Sequence, residues 1–495
     1  MDAGIRVQVR KIEIVGNKAI STAELAAIAA PYEGRVVSSE ELQELRNRLS
    51  LAYVNKGYLN SGALLPDQEV RDGVVRYEIV EGVLAGVELS GNEHLSTDYI
   101  SDRIGLGAGP PLNVAAMQER LQILQQDGLI ERINAELLPG TRPGEAVLRA
   151  RVQEAVPYQA GIGLSNRRPP SVGSRFTELF ASHRSLTGHG DTLDARIGLT
   201  KGADDYQLGY SLPVTPQDTI VSLRTSKSTS QVIETPFDQV DIRSKTRTSL
   251  IGVTHPFHKT VSESLVLGLR FEDRVSESSL LGVPFSFTPG IPNGRTEVGV
   301  WRFTQDWLRR SADDVMAIRS MFSQGKTNAG AQVNGVGPAG RFLSWLGQAQ
   351  WVGRIHKDHQ FVLRADVQYA WDPLVSIEKF AMGGAATVRG FRENQIVRDS
   401  AVIGSAEYRI LVWSGESGQG RLQAAAFVDY GRAWNGDLTP ATPKNISSYG
   451  IGMLGDLGGQ LQGQIYLAKP SRKFQQTTHD LQDSGVHFSL AYQFF

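Results

Sequence analysis

Beyond Val156-Pro157 the chain consists largely of short segments that alternate apolar and polar residues, and no apolar run approaches the roughly 18 residues that a membrane-spanning helix needs. Leu193, Ala195, Ile197 and Leu199 interleave with Asp194, Arg196, Gly198 and Thr200. Leu265, Leu267, Leu269 and Phe271 do the same with Ser264, Val266, Gly268 and Arg270, and Phe361 to Tyr369 and Val402 to Ile410 repeat the pattern. A period of two puts each set on one face of a β-strand. Alternation alone does not separate a soluble sandwich from a membrane barrel, because either architecture has an apolar face. Charge separates them: Asp194, Arg196, Arg364 and Asp366 share the polar faces, which a packed sandwich interior does not tolerate and a wet barrel lumen does. About sixteen such strands fit between Tyr158 and Phe495, with alternately short and long connections, so the expected fold of this region is a transmembrane antiparallel β-barrel of even strand number.

The first third has a different texture and repeats itself. Ile12-Glu13-Ile14-Val15-Gly16-Asn17 followed by Ser21-Thr22 recurs as Val87-Glu88-Leu89-Ser90-Gly91-Asn92 followed by Ser96-Thr97. Two copies of one small α+β unit are expected, each a strand, a Gly-Asn turn, a short Ser-capped helix, a longer amphipathic helix (Glu40 to Asn55; Val114 to Gln126) and two closing strands. The closing strands are expected at Tyr58 to Leu65 and Gly73 to Val80, then at Ile130 to Leu138 and Ala146 to Gln153. Leu42, Leu45, Leu49 and Ala52 fall at helical spacing and are read as core facing the small sheet. The domain boundaries read from this are 5–82, 83–156 and 157–495.

Other features narrow the function classes. A formal net charge of −1 gives no footprint for nucleic acid, and zero cysteines exclude disulfide frameworks and thiolate metal sites. The nine histidines show no metal-ligand spacing, and there is neither a Gly-x-Ser-x-Gly elbow nor a phosphate loop, so neither enzyme activity nor a cofactor is expected. The start Met-Asp-Ala-Gly-Ile-Arg has no signal-peptide apolar stretch and reads as a trimmed mature chain. The last segment, Phe488 to Phe495, alternates aromatics and ends on Phe495, as in the signal by which bacterial outer-membrane barrels are recognised for assembly. The longest gap between strand-like segments of the second half, near 372–401, carries Gly383-Gly384 and then Val388-Arg389-Gly390-Phe391.

With two POTRA-like repeats, a sixteen-strand barrel and the Val388-Arg389-Gly390-Phe391 loop, the chain resembles the TpsB transporters of two-partner secretion, relatives of the filamentous haemagglutinin and haemolysin exporters. Ile79-Val80-Glu81-Gly82 and the Leu138-Pro139-Gly140 with Pro143-Gly144-Glu145 hairpin match as well. The resemblance implies a Gram-negative outer-membrane pore whose periplasmic POTRA domains recognise an unfolded TpsA-like exoprotein, which then crosses the barrel without nucleotide hydrolysis. It further implies a surrounding of outer-membrane lipid, biogenesis by the barrel-assembly machinery, and a monomer. Its alternatives are an assembly insertase of the same superfamily and a passive porin. The family's Phe-x-Asp-x-Gly strand motif appears as Phe427, Asp429 and Gly431. Since Ala424, Ala426, Val428 and Tyr430 form the apolar set of that strand, Phe427 and Asp429 are expected to face the lumen. The loop is then a tether folded back inside the barrel, with Arg389 forked onto Asp429 and Gly390 easing the turn. Arg392, Glu393 and Arg398 read as solvated loop charges. Ser276 to Arg295 reads as a flexible extracellular loop, and the second repeat as the client dock.

Overall fold

The computed structural model describes residues 6–330, 332, 335–415, 419–438 and 441–495. It resolves into two compact units, one reaching Pro157 and including residues 187–190, the other formed by 158–186 and 191–495. The expected first boundary at Ile5 lies outside the described residues.

In the first unit, the order is β1 (Arg6–Val9), β2 (Lys11–Val15), α1 (Thr22–Ala29), β3 (Arg35–Ser38), α2 (Ser39–Asn55), β4 (Gly62–Leu64) and β5 (Val74–Val80). The second copy is β6 (Val83–Ser90), α3 (Thr97–Ala108), α4 (Val114–Gln126), β7 (Ile130–Pro139) and β8 (Glu145–Glu154). Each copy makes a three-stranded sheet, β2-β5-β4 or β6-β8-β7, with the first pair parallel and the second antiparallel. The repeated letters have repeated jobs. Asn17 donates to the Ile20 carbonyl and Thr22 Oγ1, and Asn92 donates to the Leu95 carbonyl and Thr97 Oγ1. Ser21 and Ser96 cap their helices by accepting from the Glu24 and Tyr99 amides. Gly16 and Gly91 sit at φ +89° and +83°, where a Cβ would fall 2.5 Å from the Ile79 carbonyl oxygen and 2.2 Å from that of Val152. Leu42, Leu45 and Leu49 are buried with Tyr53, and Ala52 packs partly against them.

The first copy departs from expectation twice. An extra ribbon, β1 with β3, flanks its sheet. The strand expected from Tyr58 shrinks to Gly62–Leu64, because the Tyr58 amide bonds back to the Tyr53 carbonyl and Ser61 to Tyr58, winding that stretch into the end of α2.

In the second unit the strands are β9 (Tyr158–Ser165), β10 (Phe176–Arg184), β11 (Thr192–Leu199), β12 (Ala203–Pro213), β13 (Ile220–Gln231), β14 (Arg243–Lys259) and β15 (Glu263–Leu280). After a two-residue β16 (Val283–Pro284) come β17 (Arg295–Arg310), β18 (Asp314–Thr327), β19 (Arg341–His356) and β20 (His359–Ala370). A hairpin, β21 (Phe380–Met382) with β22 (Ile396–Arg398), precedes β23 (Ser400–Ser414), β24 (Gly420–Trp434), β25 (Asn445–Leu457), β26 (Leu461–Pro470) and β27 (Val486–Gln493). Leaving aside β16 and the β21–β22 hairpin, sixteen antiparallel strands close into a barrel when β27 pairs with β9. Closure leaves the barrel sheet without a free edge strand, as hydrocarbon demands. The faces follow the sequence: Val428 and Tyr430 are 53% and 46% exposed on the outside, while Asp429 between them is 0% exposed. Inside, the lumen charges pair across strands, Arg224 with Asp194 at 3.5 Å, and along one strand, Arg364 with Asp366 at 3.5 Å on β20 and Arg270 with Glu272 at 2.9 Å on β15.

The stretch Ser276 to Arg295 is not a free loop. Its first residues extend β15 to Leu280, Val283–Pro284 pairs back on that strand, and Ile291 is buried with Leu374 and Val375. Backbone pairing carries β15 past the expected loop start, with Ser279 opposite Arg243 on β14 and Glu277 opposite Arg295 on β17, and Ile291 supplies an apolar anchor.

Candidate functional site

Between β20 and β23 the chain turns back into the barrel, and three levels of polar contact hold it there. At the neck, Asp399 is wholly buried, ion-pairs with Lys379 at 3.1 Å and accepts from the amides of Leu374 and Gly436 at 3.1 and 2.8 Å. At the second level, both oxygens of Glu378 accept from Arg302 Nη2 at 3.0 Å, and one of them accepts from Arg274 Nη1 at 2.5 Å. Arg302 also lies 3.0 Å from Glu272, so two arginines and two carboxylates form one ladder. The third level is the tip.

There Arg389 is 5% exposed. Its Nε and Nη2 donate to the two oxygens of Asp429 at 2.8 Å each, and its own backbone amide donates to the same carboxylate at 3.0 Å. Nη1 bonds Glu407 and Nη2 reaches Ser405 at 3.1 Å, which itself donates to Asp429 at 2.7 Å. Glu407 is shared with Arg409 at 2.6 Å and the Tyr466 hydroxyl at 3.1 Å. The guanidinium lies 3.5 Å above the Phe427 ring centre and 4.7 Å from that of Tyr466. A planar cation thus has two carboxylates at its edge and aromatic faces beside it, which suits arginine and not lysine.

Strand periodicity explains the spacing on β24. Phe427, Asp429 and Gly431 share its inward face: the first supplies the platform, the second the fork, the third a gap. A Cβ on Gly431 would lie 2.3 Å from the Met382 sulfur and 3.1 Å from Val388 Cγ2, so glycine lets the loop core of Met382, Val388, Phe391 and Ile396 seat on the wall. Gly390 takes φ +85° and donates its amide to His487 Nε2 at 2.8 Å. All of Val388, Arg389, Gly390 and Phe391 are buried and are brought together with Phe427, Asp429 and Gly431. Phe495 is elsewhere, beyond the end of β27, half exposed, with its ring 5.1 Å from that of Tyr158.

Arg392 corrects the reading of solvated loop charges. It is 7% exposed, forks onto Asp483 at 2.6 and 2.7 Å, and also binds Glu234 at 2.8 Å and the Thr478 carbonyl at 2.9 Å. Glu393 is half-buried and accepts from the Ala385 amide at 2.7 Å; Arg398, also half-buried, donates to the Val397 carbonyl. A charge next to an inserted tip has no bulk water, so it takes whatever partner the neighbouring loops present. Sequence reading also missed Ser405, Glu407 and Arg409. The alternation of β23 had placed them on the polar face, and only the tip's position makes them a site.

Residues 144–455 match the family described as haemolysin secretion/activation protein ShlB/FhaC/HecB, and residues 7–82 match the ShlB-type POTRA domain. The chain belongs to this secretion family. It is similar to the outer membrane transporter CdiB of Dickeya dadantii, 20% identical over 90% of this chain and 79% of the relative. The heme/hemopexin transporter protein HuxB of Haemophilus influenzae is 22% identical over 94% of this chain and 84% of its own length. Among solved structures, CdiB from Escherichia coli superposes with a TM-score of 0.74 at 19% identity, covering 100% of this chain and 91% of that one, a likeness of fold. Membership of the family makes this barrel an outer-membrane TpsB transporter that secretes an exoprotein, with its POTRA repeats in the periplasm.

Proposed function

We propose that the inserted loop is a tether whose docked geometry the export cycle requires, and that Arg389 forked on Asp429 is its main anchor. The supporting observation is the burial of this pair together with Glu407. Removing one partner of such a buried network leaves an uncompensated charge and costs about 3–5 kcal/mol. The client enters as an extended chain and pairs with an open sheet edge of the POTRA repeats, where backbone hydrogen bonds give affinity without fixing sequence. The second repeat is the better dock. Its edge strands β6 and β7 run for 8 and 10 residues, against 3 for β4, whose Ala63 amide is already taken by Ser50 Oγ. Folding of the client outside the cell then biases movement outward, with no enzymatic step in this chain. Phe495 and the strand before it serve as the assembly signal, and the barrel works as a monomer with the three-domain division read from the sequence.

The test is deletion of the gene in its bacterium, with complementation by wild type and by Arg389→Ala, comparing secreted and outer-membrane proteins. One exoprotein is lost on deletion, other barrels stay unchanged, and the variant does not restore export. A general fall in outer-membrane barrels makes the protein an insertase instead.

A further inference from the structure

The seam that closes the barrel is its shortest ladder, with only five residue pairs, Gly161 to Ser165 against Ser489 to Gln493. The ladders on either side are longer: β26 and β27 share seven pairs, β9 and β10 eight. Beyond Ser165 one more backbone bond crosses the seam, from the Asn166 amide to the Phe488 carbonyl at 3.3 Å, and side-chain clasps reinforce it. Asn166, fully buried, donates through Nδ2 to the Val486 carbonyl and accepts at Oδ1 from the Phe488 amide, both at 2.8 Å, which prolongs the seam with an amide side chain acting as backbone. The turn Leu481–Ser484 then lies over this junction. Gln482, also fully buried, donates to the carbonyls of Asn166 at 2.5 Å and Arg168 at 2.8 Å. Its Oε1 faces the other way and accepts the Glu393 amide of the inserted loop at 2.9 Å. The same turn holds Asp483, the partner of Arg392, and Asp480, which accepts from Ser174 at 2.6 Å. One residue into β27, His487 receives the Gly390 amide.

We propose that Gln482 is a positioning residue that joins the tether to the closing seam, so that loop docking and barrel closure loosen together. One carboxamide satisfies both sides at once: its N–H groups are spent on the segment that continues the closing strand β9, its oxygen on the loop. Gln482 itself has no contact with water, so losing any of these bonds leaves its own buried carboxamide short of a partner, and losing the Asn166 bond also strands a buried carbonyl. Two elements that share a saturated group cannot separate independently, and by thermodynamic linkage the coupling runs equally in both directions. The inference rests on the tether reading for its meaning in export, though not for its physical content.

The experiment is hydrogen exchange on the full-length protein in lipid nanodiscs, following peptides that cover residues 383–393 of the loop and 158–166 of the seam. Gln482→Met keeps length and volume and removes all three bonds; it is expected to speed exchange in both peptides by on the order of tenfold. Reciprocity supplies the second arm, which holds even if Gln482→Met fails to assemble. Asn166→Ser, altered only at the seam, accelerates the loop peptide, and Asp429→Asn, altered only at the tip, accelerates the seam peptide. If each change speeds only its own element, Gln482 is a local structural residue and the proposal fails. Secretion by Asp429→Asn is read in parallel: wild-type secretion with coupled exchange would reject the tether reading and leave the coupling standing.

Discussion

Arg389 and Arg392 lie on the same loop, both nearly inaccessible to water and each gripped by two carboxylates, yet their partners differ in kind. Those of Arg389 stand on barrel strands: Asp429 on β24, and Ser405 and Glu407 on β23, with Phe427 and Tyr466 as platforms. Those of Arg392 stand on connections, Asp483 and Thr478 between β26 and β27 and Glu234 between β13 and β14. A strand partner is fixed by the hydrogen-bonded ladder and cannot follow the loop if it leaves. A partner on a connection can move and re-solvate. The first arginine therefore sets the docked geometry, and the second ties the tip to neighbouring loops.

Four changes break or sharpen that contrast, in falling order of effect. Asp429→Ala removes the fork and the acceptor of the Arg389 amide, at a cost of about 3–5 kcal/mol, and the freed loop opens the pore. Conductance in planar bilayers should exceed that of wild type; an unchanged conductance would erase the distinction and favour a passive porin. Gly431→Val leaves every charge in place but drives methyl groups into Met382 and Val388. It should destabilise docking by about 1–3 kcal/mol, seen as a lower midpoint in heat-modifiability gels, while Val428→Ile on the lipid face of the same strand leaves the midpoint unchanged. Arg392→Gln should cost less than Asp429→Ala, about 1–2 kcal/mol, because Asp483 still accepts from the Asp480 amide and its connection relaxes. An equal or larger loss would reverse the ranking of the two anchors.

The smallest effect concerns Glu81 in the first POTRA repeat, a carboxylate held without any arginine. Partial burial works against its charge, but the amides of Lys18 and Ala19 and the Tyr53 hydroxyl outweigh burial and hold its pKa below the ordinary glutamate value. A lowered folded pKa means a contribution that is complete above the unfolded value of about 4.3 and lost as pH falls through the lower folded one. Glu81→Gln should flatten that acid dependence in urea unfolding of the full-length protein followed by protease protection of the first repeat. An unchanged acid profile would show that these amide donors do not tune the carboxylate.

Legibility in the sequence follows the same divide. The barrel could be read because period-two alternation survives in strand after strand, and Asp429 could be assigned inward because Val428 and Tyr430 beside it are apolar. The core helix of the first repeat was equally plain, from Leu42, Leu45 and Leu49. Arg392 was misread because neither Asp483 nor Glu234 carries a periodicity that points at it, and their approach depends on where three connections converge. Glu407 was visible as an inward charge but not as half of a clamp. The Tyr58 stretch failed because a helix-terminating turn overrode its strand propensity.

The most direct test of the central claim is exoprotein secretion measured across a double-mutant cycle of Arg389→Gln and Asp429→Asn, with outer-membrane levels of each variant matched. If the two side chains act as one anchor, each single variant impairs secretion and the double variant is no worse than either. Additive losses, or a single variant that secretes like wild type, would contradict it.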